Sequence, residues 1–207
     1  MRLRVQNRSK RTAEVSIDDI TWGIFPKKML HFFSDDSSAE IEISENEYQT
    51  LKEDMTNFAW QKLLNYLSYR ERSRHECYNY LKRNKFQPEL IESLLIKAEE
   101  YNYLNNDRFA EMYIEELINK GYSELFIKHK MREKGLEQKQ IAHLLDEKYK
   151  EEAKREIIYR QIKKASDRYS TLSEREKRDK IFKFLFRKGF SYSDIQYFYE
   201  KYEKEKE

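Results

Sequence analysis

Cysteine is almost missing: Cys77 is the only one in 207 residues, which excludes an internal disulfide and any cysteine-rich metal site. Beside Tyr78 and Leu81 it reads as a small buried hydrophobe and not as a reactive thiol. Four Gly and two Pro leave little for loops or sheet corners, so a mostly helical chain follows. No apolar run approaches the ~20 residues that span a bilayer, and Met1-Arg2-Leu3-Arg4 lacks the apolar stretch of a secretory signal. A reducing cytoplasm and no membrane partner are the expectation. Glycine-rich phosphate loops and His-Glu-x-x-His motifs are also missing, and His31, His75, His129 and His143 stand apart along the chain. Glu99-Glu100 and Glu115-Glu116 are adjacent on helices, so they diverge around the surface and make no acid/base pair. No catalytic group, cofactor or metal is expected, and no enzymatic activity.

What is present is repetition. Leu81-Lys82-Arg83-Asn84-Lys85-Phe86, Met131-Arg132-Glu133-Lys134-Gly135-Leu136 and Leu185-Phe186-Arg187-Lys188-Gly189-Phe190 recur at spacings of 50 and 54 residues. Apolar character is kept at Phe86, Leu136 and Phe190, at Ile91, Ile141 and Ile195, and at Leu94, Leu144 and Phe198, while the charges between them vary. A period near 50 fits three helices per unit. Sixteen Tyr and twelve Phe fall largely at helical spacing, so large rings supply the packing of small modules. The expected fold is mainly α, with tandem three-helix repeats in an elongated curved array and a small N-terminal β element.

The expected divisions are an N-terminal strand-like extension over 1–43 and helical modules over 44–104, 105–149 and 150–207. Thr12–Ile17 and Ala39–Ile43 alternate as strands, with Met29–Phe33 between them and a polar turn at Ser34–Ser38, giving two or three strands. Ser44 with Glu47 and Ser73 with Glu76 spell capping boxes, and Pro88 suits a first helical turn. Asn105 or Asn106 reads as the cap of the next helix. Ser123, Ser173 with Glu176, and Ser191 with Asp194 open later helices. Gly121, Gly135 and Gly189 read as left-handed stops, a position that falls in the first module on Lys85. The tail Glu200–Glu207 should fray.

A net charge of +3 hides segregation. Residues 1–12 carry five cations and no acid, 35–54 carry eight acids against Lys52, and 99–116 hold six acids against Arg108. Residues 152–188 hold thirteen Lys/Arg against six acids, a local balance of +7. Such asymmetry creates fields that steer partners. The cationic candidates for DNA or a polyanionic groove are Arg70, Arg72, Arg74, Lys82, Arg83, Arg155, Arg160, Lys163, Lys164, Arg168, Lys180 and Lys183. The plainer reading is a solvated helix face. Interleaved Tyr66, Tyr69, Tyr159, Tyr169, Tyr192 and Tyr197 are read chiefly as structural, with base stacking as the sharper alternative. The acidic stretch with Asp107, Arg108, Glu111 and Glu115 is either a capped interhelical turn or a partner-docking face.

Tyr103-Leu104-Asn105-Asn106-Asp107-Arg108-Phe109-Ala110 resembles the Tyr-Leu-(Asn/Asp)-Asp-x-Arg-Phe-Ala signature of the RecX family of recombinase regulators. Lys120-Gly121 and Met131–Leu136 resemble the elements that follow it, and Ser73-Arg74-His75-Glu76 with Leu81 and Phe86 resembles the start of the first repeat. The resemblance covers roughly residues 58–200. It departs at Asn102, where the family usually has Gly, and at Asn106, where it usually has Asp. It implies a cytoplasmic, non-enzymatic, monomeric protein of DNA repair and the SOS response. Such a protein binds RecA recombinase filaments on single-stranded DNA and inhibits filament growth, ATP hydrolysis and strand exchange. On that reading the twelve cations touch DNA or the filament groove, and Asp107, Arg108, Glu111 and Glu115 touch recombinase. The alternative is an independent helical-repeat protein that binds single- or double-stranded DNA without a recombinase.

Overall fold

A computed structural model describes residues 1–30 and 39–205. The chain divides into two compact units, Met1–Asn106 and Asp107–Glu207. Among the described residues of the first are strands β1 (Arg2–Asn7), β2 (Thr12–Ile17), β3 (Ile20–Pro26) and β4 (Ala39–Glu42), then helices α1 (Glu45–Leu67), α2 (Arg74–Arg83) and α3 (Pro88–Glu100). The second holds α4, which starts at Asn106 and ends at Asn119, then α5 (Glu124–Glu133), α6 (Gln138–Lys148), α7 (Glu151–Arg168), α8 (Glu174–Arg187) and α9 (Tyr192–Lys204). No described helix is long and apolar enough to cross a membrane.

In the first unit the four strands form one antiparallel sheet in the order β3-β2-β1-β4. Two strands, β1 and β3, go beyond what alternation in the sequence suggested. β1 buries Leu3 and Val5 and turns Arg2 and Arg4 to solvent, as its period of two requires. Those arginines are paired across the sheet, Arg2 with Glu40 at 3.0 Å and Arg4 with Asp19 at 3.1 Å and Glu40 at 3.6 Å. The expected strand over Met29–Phe33 is not formed at its start, where Lys27–Met29 is a short 3-10 turn. His31, Phe32, Phe33 and the polar turn Ser34–Ser38 lie outside the described residues.

The sheet docks on the α2–α3 turn. The Ile24 N–H donates to Asn84 O at 2.9 Å, and the Phe25 ring lies 5.6 Å from Phe86. A Cβ on Gly23 would sit 2.7 Å from the Phe86 ring, so only glycine lets β3 approach this closely. Lys85 takes the left-handed conformation, φ 61°, in which a side chain is strained. Its ammonium bonds Glu14 Oε2 at 2.7 Å, and Arg8 Nε bonds the same oxygen at 2.6 Å. Burial raises the Glu14 pKa, but the bonds from Lys85 and Arg8 outweigh it and hold the carboxyl below its usual value. Leu3, Val15 and Phe25 share one core with Leu51, Met55 and Leu63 of α1, Cys77 and Leu81 of α2, and Ile91 and Leu95 of α3. Burial pushes the Cys77 thiol up to about 12, consistent with a packing role.

Caps set the helix starts. Ser44 and Glu47 satisfy each other's backbone N–H at 3.3 and 2.8 Å, and Ser73 with Glu76 repeats the box at 3.1 and 3.2 Å. Pro88 is the first residue of α3. Asn102 closes α3 at φ 55°, which explains how asparagine stands where glycine is usual. Asn106 does something the sequence did not announce: its Oδ1 accepts the N–H of Arg74, so it caps α2 across 32 residues.

In the second unit α4 to α9 share one core, with Phe109, Ile114, Ile127, Met131, Ile141, Ile158, Ile162, Ile181, Leu185 and Phe198 among its members. Tyr149, at the end of α6, is buried and donates its hydroxyl to Tyr122 O at 3.1 Å. The α8–α9 turn is covered much as the α2–α3 turn is, but by a helix start: the Ser123 N–H donates to Lys188 O at 2.9 Å and its Oγ to Gly189 O at 2.7 Å. Gly189 has φ 89°, and a Cβ there would meet Ser123 Oγ at 2.5 Å.

Candidate nucleic-acid interface

The strongest charge lies on α7 and α8. α7 buries Ile157, Ile158, Gln161, Ile162, Ala165 and Ser166, which leaves Arg155, Lys163, Lys164 and Arg168 on the opposite, exposed face. α8 buries Lys177, Ile181 and Leu185, which turns Lys180, Lys183 and Arg187 outward. None of Lys163, Lys164, Lys180, Lys183 or Arg187 has an ion pair among the described residues.

Arg160 is placed differently. Its Nη2 reaches Ile118 O at 3.3 Å and Asn119 O at 3.4 Å, so it caps the C-terminus of α4, where the helix dipole favours a cation. Lys188 bonds Lys120 O at 2.6 Å and lies 4.3 Å over the Tyr122 ring. Burial first, then the nearby charges of Lys164 and Lys120, lower the Lys188 pKa. Lys120, Lys164 and Lys188 therefore make one cationic centre where α4 ends, and Lys120 also holds Glu116. Lys120 stands outside the cationic clusters of the sequence, between Asn119 and Gly121, and only the fold brings it to Lys188.

The first-unit candidates are mostly engaged. Arg74 pairs with Glu92 at 2.7 Å and Glu99 at 3.0 Å, tying α2 to α3, and the Glu92 hydrogen bond leads the rise in its pKa. Arg70 pairs with Glu76 at 2.8 Å. Arg72 stacks 4.1 Å over Tyr66, which stacks in turn on Tyr80 at 4.0 Å. Lys82 and Arg83 are exposed at the end of α2. On the acidic side Asp107 accepts from Gln140 Nε2 at 2.6 Å and Glu115 from Lys148 at 2.6 Å; Glu111 is exposed and Arg108 half-buried. The stripe on α4 thus leans on α6. His129 lies 3.2 Å from Glu133, and no three potential metal ligands converge among the described residues.

Phe186 escaped the sequence reading. It stands in the third repeat where the first two carry Lys82 and Arg132, and it is 67% exposed. The aligned repeats contain that signal, an aromatic ring off the buried stripe.

Sequence models of the RecX first, second and third three-helix domains match residues 59–97, 105–145 and 151–199. The chain belongs to the RecX family. Regulatory protein RecX from Lactococcus lactis subsp. cremoris, strains MG1363 and SK11, is 31% identical over 170 residues. That stretch is 80% of this chain and 62% of the relative, so the chain spans less than two thirds of those RecX proteins. A crystal structure of regulatory protein RecX superposes with a TM-score of 0.58 at 22% identity, covering 94% of this chain and 98% of the other. RecX from Lactobacillus salivarius gives 0.57 at 27% identity, covering 72% and 96%. The three-helix repeats and the small antiparallel sheet are therefore a RecX architecture.

Proposed function

We propose that this RecX-family chain regulates a RecA-type recombinase by binding its filament on single-stranded DNA, and that it lowers filament growth, ATP turnover and strand exchange. It acts by occupancy and not by chemistry, in the cytoplasm, as a monomer. The observation that carries this reading is the unpaired cationic surface of α7 and α8 within a RecX fold. Lys163, Lys164, Arg168, Lys180 and Lys183, with Arg155, are the polyanion contacts of the second unit; Arg70, Arg72, Lys82 and Arg83 are those of the first. Arg74 and Arg160 position helices that present these groups. Each phosphate neutralised releases counterion, so attachment weakens steeply with salt. Asp107, Glu111 and Glu115 face basic recombinase surface, where Gln140 and Lys148 are partners that a second protein can replace, and Arg108 is a recombinase contact beside them.

The test is a titration into preformed recombinase–single-stranded DNA filaments, following ATP turnover and filament length together. Both should fall as the chain is added. Binding to bare DNA with no association with filaments would instead favour the independent DNA-binding reading.

A further inference from the structure

α8 turns Lys180, Lys183 and Arg187 toward a surface cleft of about 520 Å³ whose other walls include Phe182, Phe186 and Tyr192. Residues three and four apart share a helix face, so these cations form a stripe about 10 Å long. No residue lining the cleft is acidic. Phe186 is 67% and Tyr192 61% exposed, although α8 already fills its core positions with Ile181 and Leu185. Most of the surface of both rings stays in water beside cations that have no ion pair among the described residues. The wall is also fixed: Tyr192 meets Phe182 edge-on at 5.5 Å, and Phe182 meets Tyr199 edge-on at 5.6 Å. A ring already held in place loses little entropy on binding.

We propose that this cleft is a binding site for single-stranded nucleic acid, with unpaired bases stacking on Phe186 and Tyr192 and the adjoining phosphates on Lys180, Lys183 and Arg187. The cations require an anionic ligand. The exposed ring faces select one that carries flat apolar groups between its charges, as a single strand does. A duplex keeps its base faces stacked against each other, and an oligoglutamate chain offers charge without rings. The proposal deepens the filament reading and rests on it only for the source of the strand, because the cleft needs no recombinase to bind.

The test uses the full chain and fluorescence anisotropy with three probes of equal length: oligothymidine, an abasic deoxyribose-phosphate strand and a duplex. Oligothymidine should bind roughly tenfold more tightly than the abasic strand. Phe186→Ala and Tyr192→Ala should each lose roughly tenfold toward oligothymidine and nothing toward the abasic strand. Lys183→Ala should weaken both and lower the salt slope by about one. Thermal melts matching the parent chain would show that the variants keep their fold. Equal affinity for oligothymidine and the abasic strand, or no effect of removing the rings, would overturn the proposal. So would displacement of oligothymidine by oligoglutamate that depends on the rings. If oligothymidine binds as described but the chain ignores filaments, the filament reading fails and the cleft stands; filament binding without ring dependence sinks the cleft alone.

Discussion

The two units each pair some cations and display others, but the displayed ones differ. In the first, Arg2 and Arg4 cross the sheet to Glu40, Arg8 and Lys85 converge on Glu14, and Arg74 joins Glu92 and Glu99, while Lys82 and Arg83 stay exposed at the end of α2. In the second, Lys163, Lys164, Lys180, Lys183 and Arg187 stay exposed without an ion pair among the described residues. The same unit pairs Lys148 with Glu115 and Lys154 with Asp194, so the exposed group is a subset of its cations, and holding like charges close together costs stability. The contrast separates charge content from displayed charge: only cations without an ion pair are open to a partner.

A second contrast sits inside the first. The α2–α3 and α8–α9 turns accept a backbone N–H at the same repeat position, Asn84 O from Ile24 and Lys188 O from Ser123. One is sealed by a strand and a charged bond, the other by a helix cap and a glycine. The sheet thus takes the place of a preceding helix start, which gives the N-terminal strands a structural task.

The largest effect that would sharpen this comparison is expected at Gly189. Gly189→Ala places a side chain at φ 89° and 2.5 Å from Ser123 Oγ, and should cost about 3 kcal/mol in denaturant unfolding, from left-handed strain plus overpacking. At the other turn, Glu14→Ala should cost about 1–2 kcal/mol, since it strands two half-exposed cations that can rehydrate. Because the Glu14 carboxyl titrates below its ordinary 4.5, its contribution is present above that value and is lost as pH falls through the folded pKa. The first unit of the parent chain should therefore soften on acidification below about 4.5, and Glu14→Ala should soften less. The smallest effects are expected in the second unit. Lys163→Ala and Lys183→Ala should shift stability by less than about 0.5 kcal/mol, as exposed groups without partners do. A loss there comparable to that at Glu14 would break the comparison.

Much of the helical skeleton was legible because its signals are local. Ser44-x-x-Glu47, Ser73-x-x-Glu76 and the left-handed positions Gly121, Gly135, Gly189 and Lys85 each act within a few residues. The strands β1 and β3 were not legible, since only Leu3 and Val5 mark the first and Gly23 and Pro26 look like breakers in the second. Their identity comes from distant pairing: Val5 opposes Val15, and Gly23 yields to Phe86. The cationic surface was visible as composition, but Arg74 and Arg160 look in sequence like Lys163. Their partners lie 18, 25 and 42 residues away, a separation no local pattern reports. The reading of Asn105 or Asn106 as a cap did not reach the bond from Arg74 to Asn106 for the same reason, since 32 residues separate the two.

The most direct test of the displayed charge is the salt dependence of association with recombinase–DNA filaments for Lys163→Glu/Lys164→Glu, compared with Arg70→Glu in the first unit. The double reversal should weaken association strongly and flatten the slope of log affinity against log salt, while the first-unit change has the lesser effect. Affinity and slope unchanged by the double reversal would contradict the assignment of α7 as the polyanion-facing helix.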